Sequence, residues 1–161
     1  ISDLIDKGEI DAFIAPRPPS GAALSNPNVA WLFDDPTSVA KDYYRRTGIF
    51  PIMHVLGIRK ELAEQNRWLP AAVFKAFGES KAKALELLAD TSATKVTLPF
   101  VEEQLKAARE TLGNDFWSYG VEPNRKTIEA FLHHHHAQGL SCRKVGLDEL
   151  FHPSTYESYS I

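Results

Sequence analysis

Between Pro70 and Gly139, apolar residues recur at steps of three and four, and proline and glycine punctuate the runs. An α-helix returns every third or fourth side chain to the same face, so this spacing predicts amphipathic helices. Pro70 opens the first, which carries Val73, Phe74, Phe77, Ala84, Leu85 and Leu88. Leu98, Val101, Leu105, Ala108 and Leu112 mark the second, with Thr97 and Pro99 at its start and Gly113 at its end. Pro123 opens the third, with Ile128, Phe131, Leu132 and His135 on one face and Gly139 past its end. Proline suits a first turn, where its missing N–H is not needed, and glycine suits the left-handed cap that closes a helix. A short turn around Asp148 to Phe151 and a polar tail finish the chain.

Upstream of Pro70 the pattern is mixed. A short opening helix ends near Lys7, with Gly8 as its cap. Ile10 to Ala15 reads as a buried strand, Pro16 to Asn28 as a long loop rich in Pro, Ser, Gly, Ala and Asn, and Val29 to Phe33 as a second strand. Asp34-Asp35-Pro36 is a helix start, and that helix runs to Arg46-Thr47 with Gly48 beyond it. His54 to Ile58 reads as a third strand. Three short strands among five or so helices cannot close a sheet, and their edges would lack partners. The opening Ile1-Ser2-Asp3-Leu4 also lacks an initiator Met and starts almost inside a helix. Both features suggest a piece of a longer chain.

Composition narrows the function classes. Hydrophobic residues make up 43% and charged residues 24% of the 161, as in folded globular proteins. A net charge of -3 with dispersed Lys and Arg argues against a nucleic-acid partner. No apolar run approaches the length of a membrane span. The single cysteine, Cys142, cannot form an internal disulfide. No Gly-rich phosphate loop, nucleophile elbow or structural-zinc spacing is present. The run His133-His134-His135-His136 lies within the third helix, where successive side chains diverge by about 100° and four in a row cannot converge on one metal. No metal ligands are assigned.

Several segments resemble a known family. They are Gly8-Glu9-Ile10-Asp11-Ala12, the block from Tyr43 to His54, Asp115-Phe116-Trp117-Ser118-Tyr119-Gly120, Glu122-Pro123-Asn124-Arg125, Gln138-Gly139-Leu140-Ser141 and Glu149-Leu150-Phe151. Together they look like the C-terminal half of 4,5-dihydroxyphthalate decarboxylases and related solute-binding-like proteins. The resemblance implies an α/β chain, a partial type II periplasmic-binding-protein-like fold with few strands and a helix-rich C-terminal part. By the same resemblance, residues 1–28 would end the second lobe and form a crossover loop. Residues 29–161 would supply the C-terminal part of the first lobe with the terminal helices. The missing N-terminal half of the parent would be a partner, and an apolar face left by it would favour homo-oligomers.

The resemblance also implies a function: non-oxidative decarboxylation of a dihydroxylated aromatic dicarboxylate in a cytoplasmic full-length protein. The competing expectations are a periplasmic solute-binding protein of an ABC-type importer for a small aromatic or carboxylate ligand, and an inactive fragment. Decarboxylation requires a proton donor to the carboxyl-bearing ring carbon and cations for the substrate oxygens. His54 is the candidate catalytic acid, because imidazole both holds and gives a proton near neutrality. The alternative is a buried structural histidine. Arg17, Arg45 and Arg46 are candidates for carboxylate binding through the guanidinium fork, with Arg17 and Arg46 preferred, against a reading as solvated or helix-end cations. Tyr43 and Tyr44 could hydrogen-bond a phenolic substrate. Trp117, Tyr119 and Arg125 could stack on and pair with an aromatic acid, or form a structural clasp for the C-terminal helices. No cofactor is assigned from these residues, and a divalent metal is left open.

Overall fold

The computed structural model describes residues 1–19, 25–92 and 96–156. Backbone contacts divide the chain into two units, Ile1–Ala40 and Lys41–Ile161.

In the first unit, helix α1 (Ser2–Asp6) ends as its glycine dictates. Gly8 adopts φ +70°, and the Gly8 and Glu9 N–H groups donate back to the carbonyls of Ile5 and Leu4. Asn26 returns to this helix end, donating its amide to the Asp6 carbonyl at 2.9 Å and to the Asp6 carboxylate at 2.8 Å. Helix α2 (Pro36–Thr47) starts in this unit, where Asp34-Asp35-Pro36 predicts, and continues into the second. The Asp35 carboxylate accepts from the Ser38 N–H at 3.0 Å, which satisfies one of the free donors of the first turn.

The expected strands are not formed. Residues 12–15, 29–31 and 51–59 have no regular secondary structure, and residues 32–34 form a bend. Among the described residues there is no β-strand, so the α/β expectation is replaced by a mostly helical chain. Many apolar side chains of these segments stand in solvent: Ile14 is 99% exposed and Leu32 87%. A strand exists only by pairing its N–H and C=O groups with a neighbour. Apolar composition supplies the tendency but not the partner. The part of the long loop from 20 to 24 lies outside the described residues.

The second unit holds α3 (Lys60–Gln65), α4 (Leu69–Ala89), α5 (Val101–Leu112), α6 (Val121–Ala137), α7 (Leu147–Leu150) and a closing 3₁₀ turn, Pro153–Thr155. Helix α4 lies against α5 and against the 3₁₀ turn. Two boundaries differ from the sequence pattern. Helix α5 begins at Val101, because Pro99 disfavours a helical Leu98 and Phe100 takes the left-handed φ of +65°. Helix α6 begins at Val121, two residues before Pro123, which sits in the first turn where no N–H is needed. Gly120 makes this start feasible, with φ +97° and ψ 160°, a backbone state that essentially only glycine adopts.

The core of this unit is small. Val121, Ile128 and Leu132 project from one face of α6 and meet Leu147 of α7, with Val145, Phe151 and Tyr156 packed around them. The sequence places Ile128 and Leu132 on the buried face correctly, but Phe131 is 61% exposed. Polar contacts hold the terminal segment over the core. The Tyr156 carbonyl accepts from the Glu122 N–H at 3.0 Å, and the Tyr156 hydroxyl donates to Asp148 at 2.7 Å. Arg143 meets the Glu149 carboxylate with both terminal nitrogens.

Candidate functional site

The C-terminal end of α2 sets the direction of the chain toward His54. The Thr47 hydroxyl donates to the Tyr43 carbonyl at 2.7 Å and accepts from the Ile49 N–H at 3.1 Å. Gly48 turns with φ +65°, and a β-carbon added there would stand 3.4 Å from the Lys126 Nζ. Helix termination therefore uses side-chain and backbone groups together, and it launches the irregular segment that carries Phe50, Pro51, Ile52, Met53 and His54. The Phe50 ring lies 5.3 Å from the Trp117 ring, tilted by 54°. That geometry is within the favourable range for aromatic pairs.

Trp117 is itself held from two sides. Lys81 of α4, whose side chain is only 18% exposed, donates to the Asp115 carboxylate at 2.7 Å and to the Trp117 carbonyl at 3.0 Å. Its Nζ also lies 4.7 Å from the centre of the Tyr119 ring. Asn124 closes the other side, donating to the Ser118 carbonyl at 2.9 Å and the Gly120 carbonyl at 2.8 Å while accepting from the Ser118 hydroxyl. The segment 115–120 is thus a clasp between α4 and the start of α6. It still leaves Trp117 46% and Tyr119 37% exposed.

The candidate residues fall into separate environments. Arg17 is exposed in a bend of the first unit. Tyr43 is exposed and Tyr44 half-buried near the end of α2. Arg46 pairs with Asp42 one turn earlier at 2.7 Å, an exposed contact worth little to stability. Arg125 is tied along its own helix to Glu122 and Glu129. The hydrogen bond from Arg125 holds the Glu122 carboxyl below its ordinary range, and the two carboxylates push the guanidinium's own proton affinity up. His54 is exposed and makes no hydrogen bond or ion pair to the described residues. The structure brings Trp117 and Tyr119 together around Lys81, and joins Trp117 to the segment that leads to His54.

Sequence reasoning missed Lys81 and Asn124. Lys81 sits in the run Ser80-Lys81-Ala82-Lys83, where nothing sets it apart from an ordinary solvated helix lysine. Asn124 lies in the family-like block Glu122-Pro123-Asn124-Arg125, but nothing in that block marks it as the residue that closes the turn. Both act through groups that are distant in sequence or created by the local turn, which only the fold supplies.

No family model matches the chain. A direct relative does. The chain is similar along its whole length to a 4,5-dihydroxyphthalate decarboxylase. The protein of that name from Comamonas testosteroni is 54% identical over 161 residues, all of this chain and 49% of the relative. A 4,5-dihydroxyphthalate decarboxylase from Pseudomonas putida is 42% identical over 45 residues, 28% of this chain and 17% of that protein. The chain therefore spans about half the length of the curated relative it matches from end to end. The half-length resemblance read from the Tyr43–His54 and Asp115–Arg125 blocks is borne out over the entire chain. No helix among the described residues is long and apolar enough to cross a membrane.

Proposed function

We propose that the whole protein carrying this chain is a cytoplasmic, non-oxidative decarboxylase that converts 4,5-dihydroxyphthalate to protocatechuate. The observation that carries this reading is 54% identity over all 161 residues to a decarboxylase of that name. The exposed aromatic edge of Trp117 and Tyr119 supports it, since both rings are held in place while leaving a face for a planar ligand.

In the proposed reaction His54 donates a proton to the ring carbon that bears one carboxylate. The hydroxyl para to that carbon supplies electron density to the ring as the proton arrives. The bond to the carboxylate then breaks, its electron pair restores the aromatic ring, and carbon dioxide leaves. One proton is consumed for each carbon dioxide released. Arg46 holds the carboxylate that is retained, and Tyr43 or Tyr44 meets a phenolic oxygen. Arg46 would have to exchange Asp42 for substrate, which an exposed pair permits. Arg125, bound by two glutamates, serves the α6 start rather than the ligand. The adjacent catechol oxygens form a two-oxygen chelating set, so a divalent cation is a natural assistant to test.

We also propose that segments 10–15, 29–33 and 54–58 become strands of a type II periplasmic-binding-protein-like fold in the longer protein. Their exposed apolar side chains and the absence of helix or strand over these residues support this. Hydrogen exchange compares the two forms directly. Amides of these segments are expected to exchange freely in the present chain and to be protected in the full-length protein. Equal, rapid exchange in both would remove the strand proposal.

The functional test uses full-length protein with 4,5-dihydroxyphthalate, following carbon dioxide and protocatechuate with and without a chelator. Replacing His54 with Asn is expected to lower turnover by about 10²–10⁴, the usual worth of a positioned acid–base group. Near-normal turnover in that variant takes His54 out of the mechanism. Binding of the diacid without turnover refutes the decarboxylase reading itself.

A further inference from the structure

Lys81 is placed unlike four other lysines on the helices. The side chains of Lys60, Lys75, Lys83 and Lys106 are more than half exposed and pair with a glutamate three or four positions along their own helix. Lys81 turns inward from α4 and reaches residues that lie more than thirty positions later. Its ammonium has three N–H donors. One is directed to Asp115 and one to the Trp117 carbonyl, and the ammonium lies 4.7 Å from the centre of the Tyr119 ring. Two of the three donors are thus engaged by the clasp. They fix the backbone on either side of Trp117, whose indole in turn packs against Phe50, four residues before His54.

We propose that Lys81 is a positioning residue, which sets the Trp117 indole on Phe50 and thereby fixes where the Pro51–His54 segment leaves α2. This rests on the decarboxylase reading only for its effect on turnover. The orientation of Trp117 is a separate consequence. A shorter or uncharged side chain would release Asp115 and the Trp117 carbonyl together, since one ammonium holds both. Arginine at the same position keeps a cation for Asp115 and a planar face for Tyr119, so it restores much of the arrangement.

The test uses the full-length protein labelled with 5-fluorotryptophan and read by fluorine NMR. The resonance that disappears in Trp117→Phe identifies Trp117. In Lys81→Met that resonance is expected to shift or broaden while the other tryptophan resonances stay in place. Turnover of 4,5-dihydroxyphthalate is expected to fall at least tenfold with KM changed less than threefold, and Lys81→Arg is expected to regain most of it. An unmoved Trp117 resonance in Lys81→Met overturns the proposal, as does a moved resonance with unchanged kcat. Should Lys81→Met fail to fold, Asp115→Asn removes the ion pair with little change of shape, and the same two results decide. If the wild-type protein does not turn over the diacid at all, the decarboxylase reading falls, and the Trp117 resonance alone decides the role of Lys81.

Discussion

Replacing Leu132 with Ala removes three carbon atoms from a side chain that is 8% exposed and packed in one cluster with Val121, Ile128 and Leu147. At about 0.8 kcal/mol per buried carbon, the transfer loss alone is roughly 2.4 kcal/mol. The cavity adds to this, because neighbours relax only partly, and the total expected is about 3 kcal/mol. The adjacent Phe131 offers an internal control. It removes more carbon when cut to Ala, yet it is 61% exposed, and its packing contact is a tilted ring pair with His135 at 5.6 Å. Its replacement is expected to cost less than about 1 kcal/mol. Urea unfolding followed by helical circular dichroism measures both. With a slope of about 1–3 kcal/mol per molar urea, Leu132→Ala lowers the midpoint by roughly 1–3 M. An equal or larger effect from Phe131→Ala would mean that the core does not lie on the Ile128–Leu132 face of α6, and the account of the second unit would fail.

Two further outcomes follow from polar and backbone contacts. Glu149 accepts hydrogen bonds from Arg143 and from the Gly146 N–H, which hold its carboxyl down to about 2 from an ordinary 4.5. A depressed carboxyl stabilises the fold fully above its ordinary range and loses that contribution as pH falls toward its folded value. The melting temperature of wild type should therefore fall between about pH 4.5 and 2 more steeply than that of Glu149→Gln, and parallel curves would refute the role of this pair. Gly120→Ala forces a β-carbon into φ +97° and ψ 160°. It should cost about 1–3 kcal/mol by the same urea assay, and an unchanged midpoint would show that the start of α6 can rearrange.

The helices were legible in the sequence because their determinants are local. Spacing of three and four, a proline in a first turn and a left-handed glycine act within a few residues, so α2 and α4 emerge within a residue of where Pro36, Gly48 and Pro70 place them. The buried face of α6 was legible for Ile128 and Leu132 by the same periodicity. The likeness to the decarboxylase was also carried by local blocks of residue identity. Strands were not decided this way, since Val29 to Phe33 and His54 to Ile58 have suitable side chains but need hydrogen-bonding partners from elsewhere in a chain. The role of Lys81 was hidden for the same reason. A lysine on a helix is ordinary until tertiary structure brings a carboxylate, a carbonyl and a ring from a distant turn to its ammonium. Short-range sterics and hydrophobic periodicity determined the helices. Long-range pairing, which depends on what the fold brings near, decided the clasp around Trp117 and the absence of strands among the described residues.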